Sequence, residues 1–137
     1  MDNLKDVEII VKDPVVYVAP NTLFNAIQTY DYFKAIAQAA EGLDYWVLFE
    51  YPLPNNTMNT LTVRQLFEQY KQLTTHGCSA IVLQIDQAIA RILLHPEIHT
   101  LGVPFLASRN PIEIAGFVNE QVTNIEMIRL DKGLHRN

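Results

Sequence analysis

Two short stretches of this chain, Tyr45–Phe49 and Ala80–Leu83, consist only of apolar and aromatic residues. A strand with one wet face alternates apolar and polar side chains. A run without alternation fits a strand covered on both faces, the signature of a largely parallel sheet. Between and around these runs the period changes. Tyr30, Phe33, Ile36, Ala37 and Ala40 recur at three and four residues, the spacing of one helix face. That helix begins anywhere from Thr22 to Thr29, where Asn21, Thr22 and Asn25 are all capping candidates, and Gly42 ends it. Val63, Leu66, Phe67, Tyr70 and Leu73 make a second stripe, with Thr62 and Gln65 at capping-box spacing in front of it and Gly77 behind.

The ends of the chain follow the same logic. Val7–Val11 and Val15–Ala19 are rich in β-branched residues and are split by Lys12-Asp13-Pro14, a turn signal because proline drives its predecessor out of the helical region. They predict two strands or one hairpin, the first near a sheet edge. After Ala80–Leu83, Asp86 can cap a short helix bearing Ile89, Ile92 and Leu93 that stops before Pro96. A short strand around Pro104–Ala107 follows Gly102. Asn110-Pro111-Ile112-Glu113 then opens a last helix, with Asn as cap, Pro at the first position and Glu at the third. Its buried positions are read as Ile114, Phe117, Val118, Ile125 and Ile128. Residues 132–137 form a polar tail. Alternation of this kind predicts an α/β fold: a mostly parallel sheet of four to five strands, an N-terminal edge strand or hairpin, and about four helices. Its 137 residues fit a single domain spanning 1–137.

Charge and motif content narrow the function classes. A net charge of −5 argues against nucleic acid or an anionic membrane as the main partner. The start, Met1–Asp6, lacks the basic and apolar segments of a signal peptide, and no apolar stretch approaches the ~20 residues of a transmembrane helix, so the expectation is a cytoplasmic protein. Cys78 is alone and reads as a small apolar residue at the core edge. Gly42, Gly77 and Gly102 precede strands, whereas phosphate-cradling glycines follow them, so a nucleotide-binding loop is not expected. The two serines, Ser79 and Ser108, lie outside any nucleophile-elbow pattern. His95-Pro96-Glu97-Ile98-His99 resembles a metal pair, but Pro96 interrupts the helix such a pair requires. Asp86 is explained by capping, and His76, next to Gly77, by the end of a helix. No catalytic residue, metal or cofactor is nominated.

In a parallel sheet, ligands favour the loops that leave the carboxyl ends of the strands. Here these are Tyr51–Thr62, Ile85–Gln87 and Ala107–Asn110, which offer Asn55, Asn56, Asp86, Ser108 and Arg109 as contacts for a ligand or partner. The aromatic residues concentrate in the first half, among them Tyr17, Tyr30, Tyr32, Phe33, Trp46, Phe49, Tyr51, Phe67 and Tyr70. Most belong to a core, and a surplus is available to line an apolar cavity or an association surface.

The stretch Gly77-Cys78-Ser79-Ala80-Ile81-Val82 through Ala90-Arg91-Ile92-Leu93, then Leu101–Phe105 and Ser108–Phe117, resembles the STAS superfamily, and within it the SpoIIAA-like branch of small, stand-alone bacterial proteins. Tyr45–Leu48 with the helix at Val63–Thr75 fits the preceding part, and the resemblance spans Val7 to Gln121. It implies a regulatory or protein-interaction module rather than an enzyme. It also implies a phospho-acceptor in the loop before the second helix, where Thr60 is the nearest match and Thr62 the next; this loop lacks the Asp-Ser and the glycine of the family pattern. The alternative is a carrier or sensor of an apolar, fatty-acid-like molecule, with Arg91 or Arg109 meeting its carboxylate. Homodimerisation would cover an edge strand at Val7–Val11 or an apolar helix face.

Overall fold

A computed structural model describes residues 7–20, 26–53, 63–85 and 100–133. Within them β1 (Val7–Lys12) and β2 (Val15–Pro20) form the expected hairpin, turning at Asp13–Pro14. Helix α1 (Ala26–Ala39), β3 (Trp46–Leu53), α2 (Val63–Thr74), β4 (Cys78–Ile85), β5 (Phe105–Ser108) and α3 (Pro111–Asp131) follow. The five strands lie in the order β1-β2-β3-β4-β5. The sheet is mixed: β1 is an antiparallel edge strand on β2, and the other three pairings are parallel. Three helices belong to the described residues. The short helix expected after Asp86 lies outside them, as do the His95–His99 segment and the Thr62 cap.

Strand alternation sorts the core into two layers. Val16, Val18, Trp46, Leu48, Ile81 and Leu83 point to the side of α1 and α2, where Tyr32, Phe33, Ile36, Phe67, Tyr70 and Leu73 meet them. Val15, Val47, Ala80 and Val82 point to the other side, beneath Ile114 and Ile125 of α3. The distribution of helices follows from chain order. Successive parallel strands laid down in one direction, with crossovers of one hand, bring every crossover helix to the same face. Helix α3 follows the last strand and is therefore available to cover the opposite face.

The first layer is dominated by aromatics. Phe33 stands edge-on to Tyr32 and Tyr70, with centroids 5.2 Å away in both cases, and Phe67 lies 5.7 Å from Phe105. Edge-to-face pairs add about 0.5–1.5 kcal/mol beyond the apolar area they bury. Trp46 is fully buried, and its indole N–H donates to the His76 carbonyl at 3.0 Å. Gly77 lies against the same ring: its φ is +95°, and a Cβ there would stand 3.3 Å from the indole nitrogen.

Helix α3 corrects the assignment of its inner face. Ile114 and Ile125 are buried, but Ile128 is 36% exposed, and the remaining buried positions are Gln121 and Arg129. Arg129 acts as a clamp. Its guanidinium donates to Asp13 Oδ1 at 2.8 Å and to the carbonyls of Asp44 and Tyr45 at 2.8 and 2.9 Å. Tyr45 holds a φ of +65°, a conformation that costs a non-glycine residue about 1–2 kcal/mol.

Candidate functional site

The carboxyl ends of the strands meet the start of α3. Asn110 caps that helix as its sequence position predicts, its Oδ1 accepting from the amides of Ile112 at 2.9 Å and Glu113 at 3.4 Å. Ser108 is buried; its hydroxyl donates to Glu113 Oε1 at 2.6 Å and accepts from the Asn110 amide at 3.0 Å. Ser108 is thus committed to building the β5–α3 corner, while its neighbour Arg109 stays exposed. Of the other contact residues read from the sequence, Asn55, Asn56, Thr60, Thr62, Asp86 and Arg91 lie outside the described residues.

Beside this corner, on the α3 side of the sheet, lies a hollow of about 340 Å³. Tyr17 and Phe49 of the sheet form its floor with Gln84, and Pro111, Ile114, Ala115, Val118 and Asn119 of α3 form its wall. The floor extends into an aromatic shelf. Phe49 lies 5.4 Å from Tyr17 and 5.2 Å from Tyr51, and Tyr51 stands edge-on to Tyr17 at 6.4 Å. All three rings are half-buried. Ile10, opposite Tyr17 in the hairpin register, continues the shelf toward the sheet edge and is 46% exposed. These side chains share a face because Tyr17, Phe49 and Tyr51 sit at strand positions of the same parity, and α3 lies over the other end of that face.

A different cluster was not visible in the sequence as a unit. Glu50 of β3 is almost wholly buried on the α1–α2 side and accepts hydrogen bonds from the hydroxyls of Tyr32 and Tyr70, the latter at 2.5 Å. Burial pushes the Glu50 carboxyl above its usual range, against the pull of the two hydroxyl donors. Burial, together with the Glu50 charge, raises both phenols well above theirs, so they remain protonated donors. The cluster ties α1, α2 and β3 together through one carboxylate. Its sequence signal was the placement of Glu50 in phase with Trp46 and Leu48 on a buried strand face.

The first-half aromatics therefore divide. Tyr32, Phe33, Trp46, Phe67 and Tyr70 fill the core, and among the described residues Tyr17 and Phe49 are the two that line the hollow. Cys78 is buried as expected, and burial pushes its thiol up to about 12. His76 lies in the turn after α2, at the rim of a more polar groove of about 660 Å³ between α1 and α2 that Lys34, Gln38 and Gln72 also line. Among the described residues no group of histidine, cysteine and carboxylate side chains has the placement of a metal site, and no helix is long and apolar enough to cross a membrane. No protein-family profile, no curated protein and no solved structure matches this chain.

Proposed function

We propose that this chain is a cytoplasmic, non-enzymatic regulatory or protein-interaction module of the SpoIIAA-like, STAS type. The order of strands and helices supports the reading, as does the antiparallel edge strand ahead of three parallel pairings. The observation that carries it is the half-buried shelf of Tyr17, Phe49 and Tyr51 next to the corner built by Ser108 and Asn110. Rigid aromatic rings are the side chains that protein interfaces favour, because they offer large contact area at little cost in conformational entropy. A photo-crosslinking residue placed at Tyr51, in the cells the protein comes from, is expected to capture a discrete protein that the same residue at Glu41 does not. Equal capture from both positions would count against the shelf as the contact surface. The phospho-acceptor reading of Thr60 and Thr62 belongs to this module and predicts a phosphate increment in the denatured intact mass.

A second reading is favoured by the hollow itself. Its walls are apolar, with the Gln84 and Asn119 side chains as the polar exceptions, a composition suited to an apolar molecule carrying one hydrogen-bonding group. A mass increment that is present under native conditions and lost on denaturation would move the protein to the carrier or sensor class.

A further inference from the structure

Among the described residues the sheet ends in two open edges. At one end β5 is four residues long, whereas at the other β1 runs six residues in unbroken register with β2. An edge strand presents unpaired N–H and C=O groups, which short length, bulges or proline ordinarily blunt. Strand β1 has none of these, and it carries two exposed large apolar side chains, Ile10 at 46% and Val11 at 42%. Its side chains divide by parity. Val7 and Ile9 pack against the α1–α2 layer, while Glu8, Ile10 and Lys12 lie on the shelf side, where Lys12 Nζ stands 6.0 Å from the Tyr17 ring centroid. The backbone divides the same way. Lys12 and Val15 close the two-residue turn at Asp13–Pro14, and the closing pair of such a hairpin is a hydrogen-bonded one. Bonded pairs alternate from there, so Glu8, Ile10 and Lys12 turn their backbone groups to β2, and Val7, Ile9 and Val11 turn theirs to the open edge. Pro20, which has no N–H to give, stands opposite Val7 in keeping with this phase.

This edge matches itself. Two antiparallel copies of β1 are related by a two-fold axis perpendicular to the sheet, which keeps each face of the sheet on its own side. The axis then passes at a residue that faces its own copy. With the axis at Ile10, Glu8 of each copy stands opposite Lys12 of the other, and Ile10 meets Ile10. Ile9 and Val11, whose backbone groups face the open edge, become the hydrogen-bonded pairs. An axis at Glu8 or Lys12 sets like charges against each other, and one at Ile9 or Val11 sets a charge against Ile10. An isologous contact requires this kind of match between the two halves of a patch.

We propose that β1 pairs antiparallel with β1 of a second copy of this chain, centred on Ile10, so that two five-stranded sheets become one. The apolar row of Leu106, Val82, Phe49, Tyr17 and Ile10, in register across the strands, then continues through its own copy. The pairing goes beyond the function proposed above, because it uses the backbone edge and leaves the faces of the shelf rings open. A pair of six-residue strands falls below the ~1,200 Å² of the smaller specific complexes, so the dimer is reversible and dependent on concentration.

Sedimentation of the full chain over a range of concentrations is expected to show monomer passing to dimer. Glu8→Lys and Lys12→Glu, both at exposed positions, are each expected to weaken association by about threefold or more at low salt, and the two reversals combined to restore it. Val11→Pro removes an N–H that faces the open edge, so it is expected to abolish the dimer while the dilute monomer keeps its circular dichroism. Residues paired as Ile10 is with its copy lie ~4.5 Å apart at Cα, within reach of a disulfide. Under mild oxidation Ile10→Cys is therefore expected to lock into a covalent dimer, and Lys12→Cys, which faces Glu8, is not; the native Cys78 is buried. A chain monomeric at every concentration overturns the proposal. So does a dimer indifferent to both charge reversals, or equal crosslinking from positions 10 and 12. Open-ended oligomers overturn it as well, since they would set β1 against β5 of the next copy.

Discussion

Removing one hydroxyl from the buried carboxylate is the sharpest test of the fold's interior. In Tyr70→Phe the ring remains, with its contacts to Phe33, Phe67 and Phe105, and only the donor to Glu50 is lost. A hydrogen bond to a charged group contributes about 1.5–3 kcal/mol and one to a neutral group about 0.5–1.5 kcal/mol. The cost of the substitution therefore depends on the protonation of Glu50. Its carboxyl titrates above the usual range in the folded chain because burial outweighs the two donors. The native state thus holds its proton at pH values where the unfolded state has released it. The resulting contribution is full below the unfolded value near 4.5 and is lost as pH rises through the folded value. Tyr70→Phe removes one of the influences that lower the folded value, so it raises that value further and deepens the loss. Urea unfolding across pH is expected to show a destabilisation of about 1.5–3 kcal/mol once Glu50 is ionised and about 0.5–1.5 kcal/mol in acid. Combining the change with Glu50→Gln should flatten the pH dependence. A cost that is the same at both ends of the range would refute an ionisable Glu50 as the acceptor.

Two further outcomes follow from the same core. Gly77→Ala should cost about 1–2 kcal/mol for the left-handed backbone alone, and more as the indole of Trp46 yields to the new methyl, measurable as a lower urea midpoint. Cys78, buried and with its thiol pushed up to about 12, should resist a thiol-directed reagent in the folded protein and react at once in denaturant.

The elements themselves were legible because their signals are local. Asn110-Pro111 predicts the start of α3 to the residue, and the unbroken run Tyr45–Phe49 anticipates a strand flanked by helices on both sides. What stayed hidden depends on register and docking. Whether the hydroxyls of Tyr32 and Tyr70 reach Glu50 is decided by how two helices sit across one strand, 18 and 20 residues away in sequence. In α3, apolar residues on both sides leave periodicity without a preferred face, so the pattern points to Ile128 as core whereas the structure buries Gln121 and Arg129 and leaves Ile128 exposed. Composition shows only a surplus of aromatic residues in the first half, and it is parity along β2 and β3 that gathers Tyr17, Phe49 and Tyr51 into a shelf.

The Arg129 clamp joins the last helix to the turn of the first hairpin and to the mouth of β3. On the ribosome these partners are made in the opposite order to their need: Asp13, Asp44 and Tyr45 emerge first, and the guanidinium that gathers them follows Tyr45 by 84 residues. Until then one face of the growing sheet, with Val15, Val47, Ala80 and Val82, has no lid. A nascent chain arrested before α3 should therefore be a client for chaperones that grip bare apolar strands, and emergence of α3 should end that dependence in a single step.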